Sequence, residues 1–142
     1  MRLVISLATR GRPDRLIDTV TKSVANWTDP ATVMQVQVDD DDAPTIDALQ
    51  KHGGWDGVHV NIKPRELTIA EKWNRALSTD GDVYLVAADD DPYVIPGYDA
   101  KIIEAAKRFP DGIGMVYGHL AHLSFSGAVA PTRKLCEMMG GK

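Results

Sequence analysis

The sequence predicts an α/β fold built on a mainly parallel sheet, and three observations carry that prediction. Two segments, 2–8 and 82–88, are apolar on both alternating faces, as expected of central parallel strands covered by helices on either side. Two others, 33–38 and 58–62, alternate apolar residues with Gln35, Gln37, His59 and Asn61, so each has one wetter face. Stretches of helical periodicity separate all of them, an alternation that means right-handed crossovers between parallel strands. With the amphipathic strands outside the apolar ones, the expected strand order is 3-2-1-4. The 142 residues, 44% hydrophobic and 25% charged, hold material for one domain spanning 1–142.

Each element has a local reason. After the first strand, Thr9-Arg10-Gly11-Arg12-Pro13 punctuates, and Leu16, Ile17, Val20, Val24 and Trp27 recur at helical spacing. Asp29-Pro30 stops that helix. Asp42 is placed to cap a short helix opened by Pro44, carrying Ile46 and Leu49 and ending at Gly53-Gly54. Thr68-Ile69-Ala70-Glu71 fits a capping box, and the helix it starts should place Ile69, Trp73, Ala76 and Leu77 on one face. Asp80-Gly81-Asp82 turns the chain into the fourth strand. Pro96-Gly97 then leads to a helix with Ile102, Ile103, Ala106 and Phe109, and a fifth strand is expected over 113–117.

Composition excludes several function classes. The net charge of −4 argues against nucleic acid, and no run approaches the roughly 20 apolar residues of a membrane helix. A single cysteine, Cys136, forms no intrachain disulfide, and the start of the chain does not read as a signal peptide, so a cytoplasmic setting is expected. Cys136 reads as a packed thiol. His119 and His122 form an H-x-x-H that a strand would split between its two faces, which disfavours a metal pair.

Seven of the 20 acids fall in two runs, Asp39–Asp42 and Asp89–Asp91, each at the end of a strand. In open parallel sheets ligands bind beyond the carboxyl ends of the strands where the order reverses, here between the first and fourth strands. Three polar loops meet there: Thr9–Pro13, Asp39–Asp42 and Asp89–Pro92. Adjacent carboxylates at the tip of a buried strand repel one another unless a cation or hydrogen-bond donors answer them. An all-oxygen set suits Mn2+ or Mg2+ bridging to a diphosphate, although such runs also occur as solvated turns and caps. Arg10 and Arg12 could reach a phosphate at the adjacent helix N-terminus, and of the two Arg10 is the candidate.

The ordered set LATRGRP, VDDDD, KWNRALSTDGDVYLVAADDDPYVIPGY and GAVAPTRKLCEMMGG resembles the inverting glycosyltransferases of family 2, which have the Rossmann-like GT-A fold. The resemblance spans essentially the whole chain. It implies that Asp89 and Asp91 are the D-x-D acids holding a divalent ion against the phosphates of a nucleotide sugar, with Asp90 between them as the ligand if the register shifts by one. It further implies nucleotide contacts from Thr9, from Asp39 or Asp40, and from Lys72 and Asn74, with Trp73 in the core. Asp41-Asp42 replaces the usual Gly-Ser after the second strand. A UDP-sugar is the expected donor, since a carboxylate at Asp39 favours the N–H at uracil N3, while the acceptor is unspecified. In that family an acceptor-side region supplying the general base follows the segment like 132–141. The 142 residues are therefore expected to bind donor but to transfer sugar poorly, and apolar surface near Met115, Leu120, Leu123 and Phe125 is expected to favour a homodimer. The alternatives are a nucleotidyltransferase of nucleotide-sugar synthesis, from which the chain departs by lacking a G-G-x-G-T-R loop, and a non-catalytic binding module.

Overall fold

The computed structural model describes residues 1–119 and 126–140. Within them a six-stranded sheet runs in the order β3-β2-β1-β4-β6-β5. Strands β1 (Leu3–Ala8), β2 (Val33–Asp39), β3 (Val58–Lys63) and β4 (Val83–Ala88) are mutually parallel, which bears out the expected 3-2-1-4 arrangement with β1 and β4 side by side. Strands β5 (Met115–His119) and β6 (Ser126–Pro131) extend the sheet. The sequence suggests β5 two residues early and gives no sign of β6, which lies antiparallel between β4 and β5. Its SGAVAP is too short and too rich in small residues to carry a period.

Strand β1 shows why the middle of the sheet is apolar throughout. Leu3, Ile5 and Leu7 point into a core shared with Met34, Val36, Val38, Leu85, Ile103 and the inner face of α1 (Pro13–Asn26). On the opposite face Val4 packs with Val33, Ala76 and Tyr84. Each such fully buried aliphatic side chain contributes roughly 1.5–3 kcal/mol. Helix α1 offers Leu16, Thr19, Val20 and Ser23, spaced 3, 1 and 3 apart, to the sheet. Gly81 sits so close to β1 that a Cβ there would meet Val4 Cγ2 at 2.4 Å, which fixes the residue type of the turn into β4.

Four local expectations change in the tertiary context. Gln37, expected on a wetter face, is fully buried and accepts a hydrogen bond from Asn61 Nδ2 (2.9 Å), because β2 is an interior strand. Val60 and Ile62 of the edge strand β3 instead remain 42% and 45% exposed. Helix α3 (Ile69–Asn74) opens with the anticipated capping box of Thr68 and Glu71, then tightens into a 3-10 turn over Arg75–Ser78. Ile69, at its first turn, is exposed, and Lys72 and Arg75 take inward positions with Ala76. Helix α2 (Ala43–His52) has Asp42 at its N-cap, but that carboxylate accepts from Gly11 N (2.8 Å) and makes no cap hydrogen bond. Helix α4 (Tyr98–Ala106) follows Gly97, and α5 (Arg133–Met138) follows β6.

Candidate functional site

The carboxyl ends of β1, β2 and β4 bring both acid runs to one edge of the sheet, where the order reverses. At the end of β2, Asp39 is 2% exposed and surrounded by cations: Arg10 Nη1 lies 2.9 Å from Oδ2, Lys72 Nζ 2.9 Å from Oδ1, and Arg75 Nη2 3.5 Å from Oδ1. Oδ1 makes close ion-pair contacts without an aligned hydrogen bond. Burial pushes the Asp39 carboxyl upward, but the close cationic contacts of Lys72 and Arg10 outweigh it and hold the group below the usual carboxylate value. Lys72 also donates to the Thr9 carbonyl (2.6 Å), and Arg75 to the Val38 and Pro64 carbonyls and to Glu66.

At the end of β4, Asp89 is fully buried. Its Oδ2 accepts from the Thr9 hydroxyl (2.7 Å), and its carbonyl accepts from the Thr19 hydroxyl on α1 (2.8 Å). Arg12 Nη2 stands 2.5 Å from Oδ1, and the same guanidinium donates from Nη1 to Asp90 Oδ2 at 3.0 Å. Asp90 and Asp91 are exposed. The positive group expected beside the triplet is thus supplied within the chain by Arg12, and Thr9 supplies the donor.

The nucleotide candidates divide accordingly. Thr9, Arg10, Asp39 and Lys72 converge on a cavity of about 230 Å3, lined also by Arg12, Arg65, Glu66 and Thr68. Four cations against two carboxylates make its lining positive. Asp40 is exposed, with its backbone N–H on the Lys63 carbonyl, while Asp41 forms the two-pronged pair with Arg10 (2.6 and 3.0 Å). Asn74 is exposed and outside the cavity, because two residues along a helix from Lys72 is the wrong face. Arg75, three residues from Lys72, is on the right one. That spacing was a readable signal for Arg75, whereas Arg12's part depends on a partner 78 positions away.

A second, more apolar cavity of about 500 Å3 lies between α4 and strands β5 and β6, with Tyr93, Tyr98 and Tyr117 in its wall and Asp91 at its rim. Tyr93 and Tyr98 stack at 4.9 Å, and burial raises both phenols above their ordinary value. Asp99, at the start of α4, is a buried carboxylate with no counter-cation among the described residues. It accepts from the backbone N–H groups of Thr28 (3.0 Å) and Asp29 (2.7 Å) and from the Thr32 hydroxyl (3.1 Å). Burial raises the Asp99 carboxyl, and these donors more than offset it, leaving it low. Its role is to tie α4 to the loop after α1.

Trp73 is half-buried and clamps α3 onto the strand ends, donating from Nε1 to the Ala87 carbonyl (3.0 Å) while its own carbonyl accepts from Ser6. Trp27 and Trp55 pack against the core as expected. Cys136 is half-buried, and burial raises its thiol above the ordinary value. Met115 is 41% exposed, whereas Leu120, His122, Leu123 and Phe125 lie outside the described residues, as does the side chain of His119.

A divalent ion fits part of this edge. Among the described residues no three His, Cys, Asp or Glu side chains converge as a metal cage. Mg2+ or Mn2+ bound with phosphates needs only one or two protein carboxylates, which the exposed Asp90 and Asp91 offer. Asp89 is engaged by Thr9 and Arg12, and its Oδ1 lacks an aligned hydrogen bond. No described helix is long and apolar enough to cross a membrane.

No protein-family model matches the chain, and no curated protein matches it in sequence. Solved structures do match in fold. The mannosyltransferase PcManGT from Pyrobaculum calidifontis, in complex with GDP-Man and Mn2+, superposes with a TM-score of 0.81 at 14% identity, over 99% of this chain and 47% of its own. TarS from S. aureus (residues 1–349) gives 0.68 at 15% identity, over 99% and 49%. A CMP:2-keto-3-deoxy-manno-octonic acid synthetase complexed with CTP gives 0.68 at 11%, over 99% and 78%. The fold is GT-A-like and Rossmann-like, and the chain spans about half the length of PcManGT and TarS.

Proposed function

We propose that this chain is the nucleotide-sugar-binding part of a metal-dependent glycosyltransferase, with a UDP-sugar as the first donor to test and an acceptor still to be found. The observation that carries the reading is the convergence of Thr9, Arg10, Arg12, Asp39 and Lys72 on one positively lined cavity, with the acid triplet at the adjoining strand end. The GT-A-like neighbours support the class. In this assignment the cavity receives the nucleoside, with Thr9 and Asp39 near the base. Arg10 and Lys72 offset diphosphate charge. Asp39 contacts the base only if Arg10 yields its place on Oδ2, so its first role is to hold Arg10, Lys72 and Arg75 in position. Asp91 would hold Mn2+ or Mg2+ first, with Asp90 and Asp89 joining only after Arg12 moves. The ion's chemistry is to stabilise negative charge developing on the leaving diphosphate.

Calorimetry with UDP, GDP and CDP, each with and without Mn2+, tests this. Nucleoside diphosphate binding that tightens with Mn2+ and loses that dependence in Asp91→Asn is the expected result; equal affinity with and without Mn2+ rejects the metal assignment. Cytidylyltransferases and a CMP-sugar synthetase share the architecture, which keeps nucleotidyl transfer as the second reading. Stabilisation by CTP or another triphosphate in preference to diphosphates would favour it.

A further inference from the structure

Arg12 lines the proposed donor cavity, and its contact with the acid triplet sets how the cavity and the proposed metal site communicate. Its guanidinium bridges two adjacent carboxylates, 2.5 Å from Asp89 Oδ1 and 3.0 Å from Asp90 Oδ2. Asp89 is fully buried with Oδ2 committed to Thr9, so among the described residues Oδ1 faces Arg12 as its one cation, without an aligned hydrogen bond. Arg12 itself is 46% exposed at the residue preceding α1 and makes no other side-chain hydrogen bond among the described residues. It also lines the positive cavity, and so stands between that cavity and the triplet. At 230 Å3 the cavity is smaller than the about 300–1,000 Å3 of small-molecule sites. Moving Arg12 would open it toward the acids.

We propose that Arg12 is a displaceable counter-ion of the acid triplet, a positioning residue that gives way when a divalent cation arrives with a diphosphate. The proposal rests on the nucleotide-sugar reading above. A guanidinium carries one positive charge and meets carboxylates as a planar fork; a divalent ion carries two and draws on the same oxygens. The two compete, so a cation alone has to break both Arg12 contacts. A cation bound with a diphosphate offers Arg12 a new anionic partner beside the start of the 14-residue helix α1, where backbone dipoles also favour negative charge. Arg12 thereby couples the ion to the nucleotide: each binds better when the other is present.

The test is a titration of free Mn2+ by electron paramagnetic resonance on the 142-residue chain, with and without UDP, for wild type, Arg12→Gln and Arg12→Lys, with circular dichroism as the check on folding. Without nucleotide, Arg12→Gln is expected to bind Mn2+ about tenfold tighter than wild type, and the enhancement of Mn2+ binding by UDP is expected to shrink by a similar factor. Arg12→Lys, which keeps the charge but cannot fork across two carboxylates, should fall between them. If Arg12→Gln does not fold, Arg12→Lys decides alone: tighter Mn2+ than wild type supports the proposal, and unchanged or weaker Mn2+ overturns it. Unchanged or weaker Mn2+ binding in a folded Arg12→Gln, with UDP binding intact, overturns the counter-ion role and leaves the nucleotide reading standing. Failure of UDP, GDP and CDP to bind wild type removes the nucleotide reading, while the nucleotide-free Mn2+ arm still decides on Arg12. No Mn2+ binding by any variant overturns the proposal.

Discussion

The two acid runs look alike as sequence and are opposite as structure. Asp39 at the end of β2 is enclosed by three cations, from the loop after β1, from α3 and from the 3-10 turn, and its neighbours Asp41 and Asp42 are spent on Arg10 and on the Gly11 backbone. At the end of β4, only Asp89 is enclosed; Asp90 shares the single guanidinium of Arg12, and Asp91 is exposed with no cation partner among the described residues. The first run is a closed electrostatic knot and the second is open on one side. A carboxylate cluster at a strand end is therefore evidence for a binding site only after its internal counter-ions have been counted.

The largest effect that sharpens this comparison is expected from Asp39→Ala. Removing the carboxylate leaves Lys72 and Arg75 buried without their shared anion, and breaking such a pair costs about 3–5 kcal/mol. Urea unfolding would show it as a lower midpoint with unchanged slope. A loss below about 1 kcal/mol would mean that Glu66 and the Thr9, Val38 and Pro64 carbonyls hold the cations without Asp39.

Thr19→Val should come next. It removes the hydroxyl that donates to the Asp89 carbonyl at a buried position, which costs roughly 1–3 kcal/mol in the same assay. Because Thr19 touches the backbone of the triplet and not its charges, Mn2+ binding should change little. A large change there would show that the β4 end is set from α1.

Acid gives a reversible version of the first test. The carboxyls of Asp39 and Asp99 are held below their ordinary value of 3.8 in the folded state. Their stabilisation is therefore complete above pH 3.8 and is lost as pH falls through the lowered folded values. The melting temperature should hold from about pH 7 to 5 and drop below about 4, and Asp39→Asn should flatten that drop. An acid limb unchanged in Asp39→Asn would assign it to the other carboxyls held low, Asp99, Glu66 and Asp41.

The smallest stability effect belongs to Asp91→Asn, expected within about 0.5 kcal/mol because the side chain is exposed and has no cation partner among the described residues. Its effect should appear only in ligand binding, as loss of the Mn2+ dependence of nucleoside diphosphate affinity. A protein destabilised by this change would place Asp91 with the closed cluster.

By itself the sequence determined the layers and their centre. Runs such as Leu3–Ala8 and Val83–Ala88 can bury every side chain only as interior strands, and helical spacing in Leu16, Val20 and Val24 needs no partner to be read. It also marked the edge at which the donor site is proposed, since that follows from strand order. Only the tertiary structure decided which charges meet there. Arg12 and Asp90 are 78 positions apart, and Asp99 is caged by a loop about 70 positions earlier; neither leaves a local period. Within α3 the spacing put Lys72 and Arg75 on one face, but that this face turns inward onto Asp39 while Ile69 stays outside was decided by the end of β2. Periodicity records how a segment shares itself between water and core, whereas charge pairing depends on which strand ends the crossovers bring together.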